Sequence, residues 1–120
     1  MLGKFSSSLG WAVQGVVYAL KNERHMKFHL AATLLVLLAG WWLTLTPWQW
    51  LMVVFAITLV WVTELLNTAI EAVVDMYTNH HHPLAKASKD VAAGAVLVAA
   101  INALVVAVVI FLPKLVKLLK

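Results

Sequence analysis

The run FHLAATLLVLLAGWWLTLTPWQWLMVVFAITLVWVT, residues 28–63, contains no Asp, Glu, Lys or Arg. A membrane-spanning helix needs about 20 predominantly apolar residues. The run therefore has room for two spans, and the equally uncharged stretch from Val91 to Pro113 has room for one. Within the run, Thr44-Leu45-Thr46-Pro47 marks the break. A proline cannot donate a helix hydrogen bond, and it pushes its preceding residue out of the helical region. Helices are expected at about 28–45, 48–75 and 90–112. Ahead of them, Leu9, Val13, Val16, Val17 and Leu20 recur at helical spacing among polar residues. This pattern predicts an amphipathic helix within 1–27 that lies on the membrane surface. Residues 1–27 hold no apolar core followed by a small-residue cleavage site, so a cleaved signal peptide is not expected.

Composition agrees. Of 120 residues, 63% are hydrophobic and 12% charged, and the mean hydropathy is +0.91. A water-soluble globule is excluded, and the fold class is an all-α integral membrane protein forming a single membrane domain over 1–120. Nine Lys and Arg against five Asp and Glu give a formal charge of +4, but the basic residues are scattered. No stripe that could track nucleic-acid phosphates is present. There is no cysteine, which removes thiolate nucleophiles and Cys-ligated zinc.

Lys4, Lys21, Arg24 and Lys27 precede the first span, Lys86 and Lys89 lie in the second connection, and the first connection carries no charge. The positive-inside rule then places the N-terminus and the 76–89 loop in the cytoplasm, with Lys114, Lys117 and Lys120 counting against it. Trp41, Trp42, Trp48 and Trp50 cluster at the opposite turn, where interfacial anchors are expected.

The residues that carry chemistry end the second span. Glu64, Asn67, Glu71 and Asp75 are separated by offsets of 3, 7 and 11, which keep them on one narrow stripe of a helix. At about 1.5 Å per residue from Trp48, Glu64 lies about 24 Å along and Glu71 about 34 Å, against a hydrocarbon core of about 30 Å. For Asp75 a solvated helix end suffices as an explanation. Glu64 is different, because an ionisable side chain at membrane depth costs a few kcal/mol and marks a functional site or an inter-helix pair. Glu23 precedes the first span and Asp90 the third, so all five carboxylates are expected at one interface. Hard oxygen ligands in a small volume suit Mg²⁺, which commonly uses one or two carboxylates plus nucleotide phosphates. Lys89 offers a cation to those phosphates.

Three helices alone would leave such polar groups facing lipid. Ala95, Ala99, Ala103 and Ala107 form a small-residue face at four-residue steps on the third span, which suits close helix packing. Asn102 on the same helix calls for a hydrogen-bond partner. A homo-oligomer is expected, with the acids satisfied at its subunit boundaries.

Asn22-Glu23-Arg24, the run Glu64-Leu-Leu-Asn67-Thr-Ala-Ile-Glu71-Ala-Val-Val-Asp75, and His82-Pro-Leu-Ala-Lys-Ala-Ser-Lys89-Asp90 leading into Ala-Gly94-Ala-Val-Leu resemble the prokaryotic diacylglycerol and undecaprenol kinases of the bacterial inner membrane. The resemblance covers nearly the whole chain. It implies a homotrimer of three-span subunits, and transfer of the γ-phosphoryl group of MgATP to a lipid alcohol. It implies Glu64 as general base at the lipid hydroxyl with Asn67 in support, and Glu23 and Glu71 as holders of Mg²⁺ and phosphates. It also implies His82, Lys89 and Asp90 as nucleotide contacts. Trp11 stands at a variable position, and Ala93 replaces a serine of the proteobacterial diacylglycerol kinases, so lipid contacts there are not carried over. His81-His82-Pro83-Leu84-Ala85-Lys86 and the ending Ile110-Phe-Leu-Pro-Lys114 look like the Gram-positive branch. That branch tips the expected substrate toward undecaprenol, in recycling of the cell-wall lipid carrier, over diacylglycerol.

No G-x-x-x-x-G-K-[ST] loop and no glycine-rich kinase loop occurs, so neither common ATP site is available. Phosphoryl transfer mostly requires positioning and charge neutralisation, which carboxylate-held Mg²⁺ and a lysine can supply. Two other classes compete. The acids with His80, His81 and His82 could form the divalent-metal site of a small transporter or metal-binding membrane protein, although a solvated loop suits three adjacent histidines better. A purely structural adaptor leaves an acid at membrane depth unexplained.

Overall fold

The computed structural model describes residues 2–120, which fold into four helices: α1 (Leu2–Asn22), α2 (Arg24–Trp42), α3 (Pro47–Tyr77) and α4 (Pro83–Leu119). The chain measures 56 × 42 × 21 Å, and its long dimension is the length of α4 at about 1.5 Å per residue. α4 packs chiefly along α3, whereas α2 meets α3 over a shorter stretch and α1 touches both α2 and α3. α3 and α4 are long and apolar enough to cross a membrane, with mean hydropathies of 1.9 and 3.0 over their best windows. α2 occupies the place of the expected first span, but Arg24, His25 and Lys27 in its first turn dilute its apolar part.

The helix boundaries depart from expectation for local reasons. α1, the helix expected on the membrane surface, ends at Asn22 rather than 27, because Glu23 adopts an extended backbone (φ −109°, ψ 120°) and α2 starts at Arg24. α2 stops at Trp42, three residues before the expected end, and Thr44 takes the left-handed conformation (φ 53°). Pro47 is the first residue of α3 rather than the gap before it. Thr46 and Gln49 form a reciprocal capping box, Thr46 Oγ1 accepting from Gln49 N at 3.3 Å and Gln49 Oε1 accepting from Thr46 N at 3.0 Å. A proline at this position loses no intrahelical bond. α4 begins at Pro83, seven residues before the expected start, and continues through Pro113 to Leu119. The missing Pro113 N–H costs that helix one internal bond.

Leu45, Val53 and Ile110 form the core at the tight-turn end, with Val36, Trp50, Ile57, Val106 and Phe111 around them. Trp50 therefore packs inward, while Trp41, Trp42 and Trp48 remain exposed as interfacial anchors would be. The alanine face of α4 is also partly used within the chain: Ala99 is buried, whereas Ala95 stays exposed.

Candidate active site

Val53, Ala56, Val60, Glu64 and Asn67 are the buried positions along α3, with Thr68 beside them. Their steps of three and four are those of one helical face, so Glu64 continues the stripe that packs inward. It is 2% exposed, deeper than any solvated helix end. Its Oε2 lies 3.2 Å from Nε2 of His29, one turn into α2. Thr33, four residues further along, donates to the His29 carbonyl at 2.7 Å and accepts from the Trp61 indole N–H at 2.8 Å. Two polar ties thus join α2 to α3 in antiparallel register.

Asn67 is likewise buried. Its Nδ2 donates to Glu71 Oε1 at 3.4 Å, while its Oδ1 has no partner. It lines a cavity of about 590 Å³ between α3 and α4, whose walls include Leu66, Ile70, Leu84, Ser88 and Ala92. Glu23, at the α1–α2 junction, is half-buried. Its carboxyl is held above the usual range, first by burial and then by the negative charges of Glu71 and Glu64, with His25 opposing. Glu23 thus feels the charges of Glu71 and Glu64 of its own chain.

The other two acids are each paired with a lysine. Lys89 is sequence neighbour to Asp90 but bonds Asp75 at 2.6 Å, and Asp90 bonds Lys86 at 2.6 Å. Each lysine is held above its usual pKa, chiefly by its carboxylate partner. Asp75 and Asp90 are thus each held in an ion pair with a lysine of α4. Glu64 has one polar partner, His29, within its own chain. His82 caps α4, its Nδ1 accepting from Leu84 N at 3.1 Å. With His80, His81, Asp75, Lys86 and Lys89 it lines a polar cleft of about 300 Å³. Among the described residues, no group of three or more His, Asp and Glu is close enough to hold a metal by itself.

His29 escaped the sequence reading. The signal was present, since apart from the tryptophans His29 and Thr33 are the only polar side chains of α2 beyond Lys27 and stand four residues apart. Their partners lie on another helix, and only the packing register identifies them.

The family model of prokaryotic diacylglycerol kinases matches residues 10–111. The chain is 44% identical to an undecaprenol kinase of Bacillus subtilis over 95% of its own length and 93% of that protein's. It is 40% identical to a diacylglycerol kinase of Synechocystis, covering 93% of this chain and 65% of the other. To a diacylglycerol kinase of Escherichia coli K12 the identity is 33%, over 80% and 79%.

Proposed function

This chain belongs to the prokaryotic diacylglycerol kinase family, and from that premise we propose that it phosphorylates undecaprenol with MgATP at the cytoplasmic membrane surface. The activity class is that of a lipid kinase. The observation that carries the proposal is the buried Glu64, on the α3 face that also bears Asn67, in a chain similar to an undecaprenol kinase over nearly its whole length.

Glu64 is the general base. As the lipid hydroxyl oxygen bonds to the γ-phosphorus, Glu64 takes the hydroxyl proton, and the bond from the γ-phosphorus to the bridging oxygen breaks with its electron pair leaving on ADP. Asn67 supports the site through Glu71. The negative charge that Glu71 and Glu64 impose on Glu23 is the kind that a divalent cation relieves. Two of these carboxylates with nucleotide phosphates make an ordinary Mg²⁺ donor set. Glu23 and Glu71 would hold the ion, and the chemistry it supplies when bound is neutralisation of phosphate charge. Lys89 and His82 serve the nucleotide from the cleft beside Asp75, and Asp90 serves it from the Lys86 ion pair.

The proposed topology has three spans with α2 as the first, the N-terminus in the cytoplasm, and α1 on the bilayer surface, where its exposed Leu9, Val13 and Val17 meet lipid. The proposed assembly is a homotrimer. Asn102 faces outward on α4 at about half the depth of the hydrocarbon core, where an amide is best satisfied by a neighbouring helix. The test is turnover in mixed micelles with MgATP and either undecaprenol or diacylglycerol at matched mole fraction. Higher kcat/KM on undecaprenol is expected. Preference for diacylglycerol would reassign the substrate, and ATP consumption with neither lipid would sink the kinase.

A further inference from the structure

A carboxylate buried in a bilayer-facing bundle needs a polar partner, or it turns toward whatever water it can find. Glu64 has one, supplied by a helix more than thirty positions away in sequence. We propose that His29 is a positioning residue for phosphoryl transfer, its imidazole Nε2 lying against the Glu64 carboxylate at 3.2 Å and keeping it in the orientation that meets the lipid hydroxyl. The inference rests on Glu64 being the base of the lipid kinase proposed above.

Three observations support it. The 3.2 Å contact is made to Oε2, so the second carboxylate oxygen is the one to meet a substrate proton. His29 is itself fixed: its carbonyl accepts from Thr33, which Trp61 ties to α3, and the Phe28 ring stands edge-on to the imidazole at 5.7 Å and 74°. The cavity of about 320 Å³ beside the pair, lined by His29, Thr33, Val36, Val60, Trp61 and Leu104 among others, is almost wholly apolar. The other polar groups of that wall, Thr33 and Trp61, are already bonded to the His29 carbonyl and to each other, which leaves His29 as the partner for the carboxylate. A histidine facing an apolar wall is costly in a membrane helix, so a role confined to packing would be better served by leucine.

The experiment measures kcat and KM with undecaprenol and MgATP for His29→Leu, His29→Gln, Glu64→Gln and the double variant His29→Leu/Glu64→Gln. Losing an orienting partner typically costs about 10-fold or more in activity. That fall is expected in kcat for His29→Leu, with KM for MgATP moving by no more than about twofold. Glutamine can present its Nε2 where the imidazole Nε2 stands, so His29→Gln should recover most of the loss. The double variant should be no slower than Glu64→Gln alone, because nothing remains to be positioned. Wild-type kcat in His29→Leu, no recovery in His29→Gln, or a double variant slowed by the product of both effects would overturn the proposal. Should His29→Leu fail to assemble, His29→Asn replaces it, since its amide is one methylene too short. Equal kcat in the Asn and Gln variants is then the overturning result. Wild-type turnover in Glu64→Gln marks a different failure, because it removes the base itself.

Discussion

At the scale of single residues, position in the hydropathy profile made Glu64 legible and its spacing made Asn67 and Glu71 legible, since both are properties of a local sequence. Depth along a helix can be counted. What could not be counted is which side chain of α2 lies opposite Glu64, so His29 and the Thr33–Trp61 tie emerged only with the packing. The same limit explains Lys89, whose sequence neighbour Asp90 is not its partner while Asp75, fourteen residues away, is. Glu23 carries a prediction at this scale. Its carboxyl protonates more readily than an ordinary glutamate, because burial and the charges of Glu71 and Glu64 disfavour the anion. A metal ligand must be deprotonated, so MgATP affinity should fall as pH is lowered through the range just above the ordinary glutamate pKa. Glu23→Gln and Glu71→Gln should each weaken MgATP binding at neutral pH, and Glu71→Gln should move the remaining acid-induced loss to lower pH by removing one repelling charge. Titration calorimetry against pH checks both. Unchanged affinity in the two variants would place the ion elsewhere.

Individual elements were legible wherever charge or proline punctuates the chain, but the two signals mean different things. Absence of charge marks the part of a helix that lipid can cover, whereas the helix itself runs on into water until its backbone bonds end. α4 therefore starts at Pro83, where His82 caps it, rather than at the edge of the uncharged stretch near residue 90. The break at Glu23 had no such signal, since neither Asn22 nor Arg24 forbids a helix. The α2–α3 turn carries the sharpest packing constraint. A Cβ added to Gly40 would lie 2.8 Å from Trp50 Cη2 and 2.9 Å from Leu45 Cδ1, atoms that belong to the core or lean on it. Gly94 has nothing within 4 Å of such a Cβ. Gly40→Val should therefore destabilise the turn by about 1–3 kcal/mol through overpacking, and Gly94→Ala should be neutral or mildly stabilising through helix propensity. Thermal unfolding in detergent reads both. A Gly40→Val protein as stable as wild type would mean that Trp50 swings away without cost.

For the whole molecule, the open question is what covers its apolar surface. Leu35, Leu38 and Phe55 on the middle helices and Val98, Leu104 and Val109 on α4 are more than half exposed, and lipid tails can cover all of these without loss. Asn102 is the exception. Its carboxamide points away from its own chain at mid-membrane depth, where lipid offers neither donor nor acceptor. Association driven by such a group is worth roughly 0.6–2 kcal/mol per contact. At about 1.4 kcal/mol per tenfold, this corresponds to a few-fold to some 30-fold in the dissociation constant. Asn102→Leu keeps the helix apolar and well packed while removing the amide, so it should shift the oligomer toward smaller species as protein is diluted into detergent. Asn102→Gln should retain part of the association. Sedimentation across a series of protein-to-detergent ratios makes the measurement. The intrachain pairing of Glu64 with His29 adds a sharper expectation: because the buried acid does not depend on a neighbour for its partner, dilution of Asn102→Leu should cost assembly before it costs the folded α2–α3 pair. An Asn102→Leu protein that keeps the wild-type oligomer distribution would show that the amide bonds back to its own helix, and would leave the alanine-lined surface of α4, with Ala95 at its exposed edge, as the contact that brings the chains together.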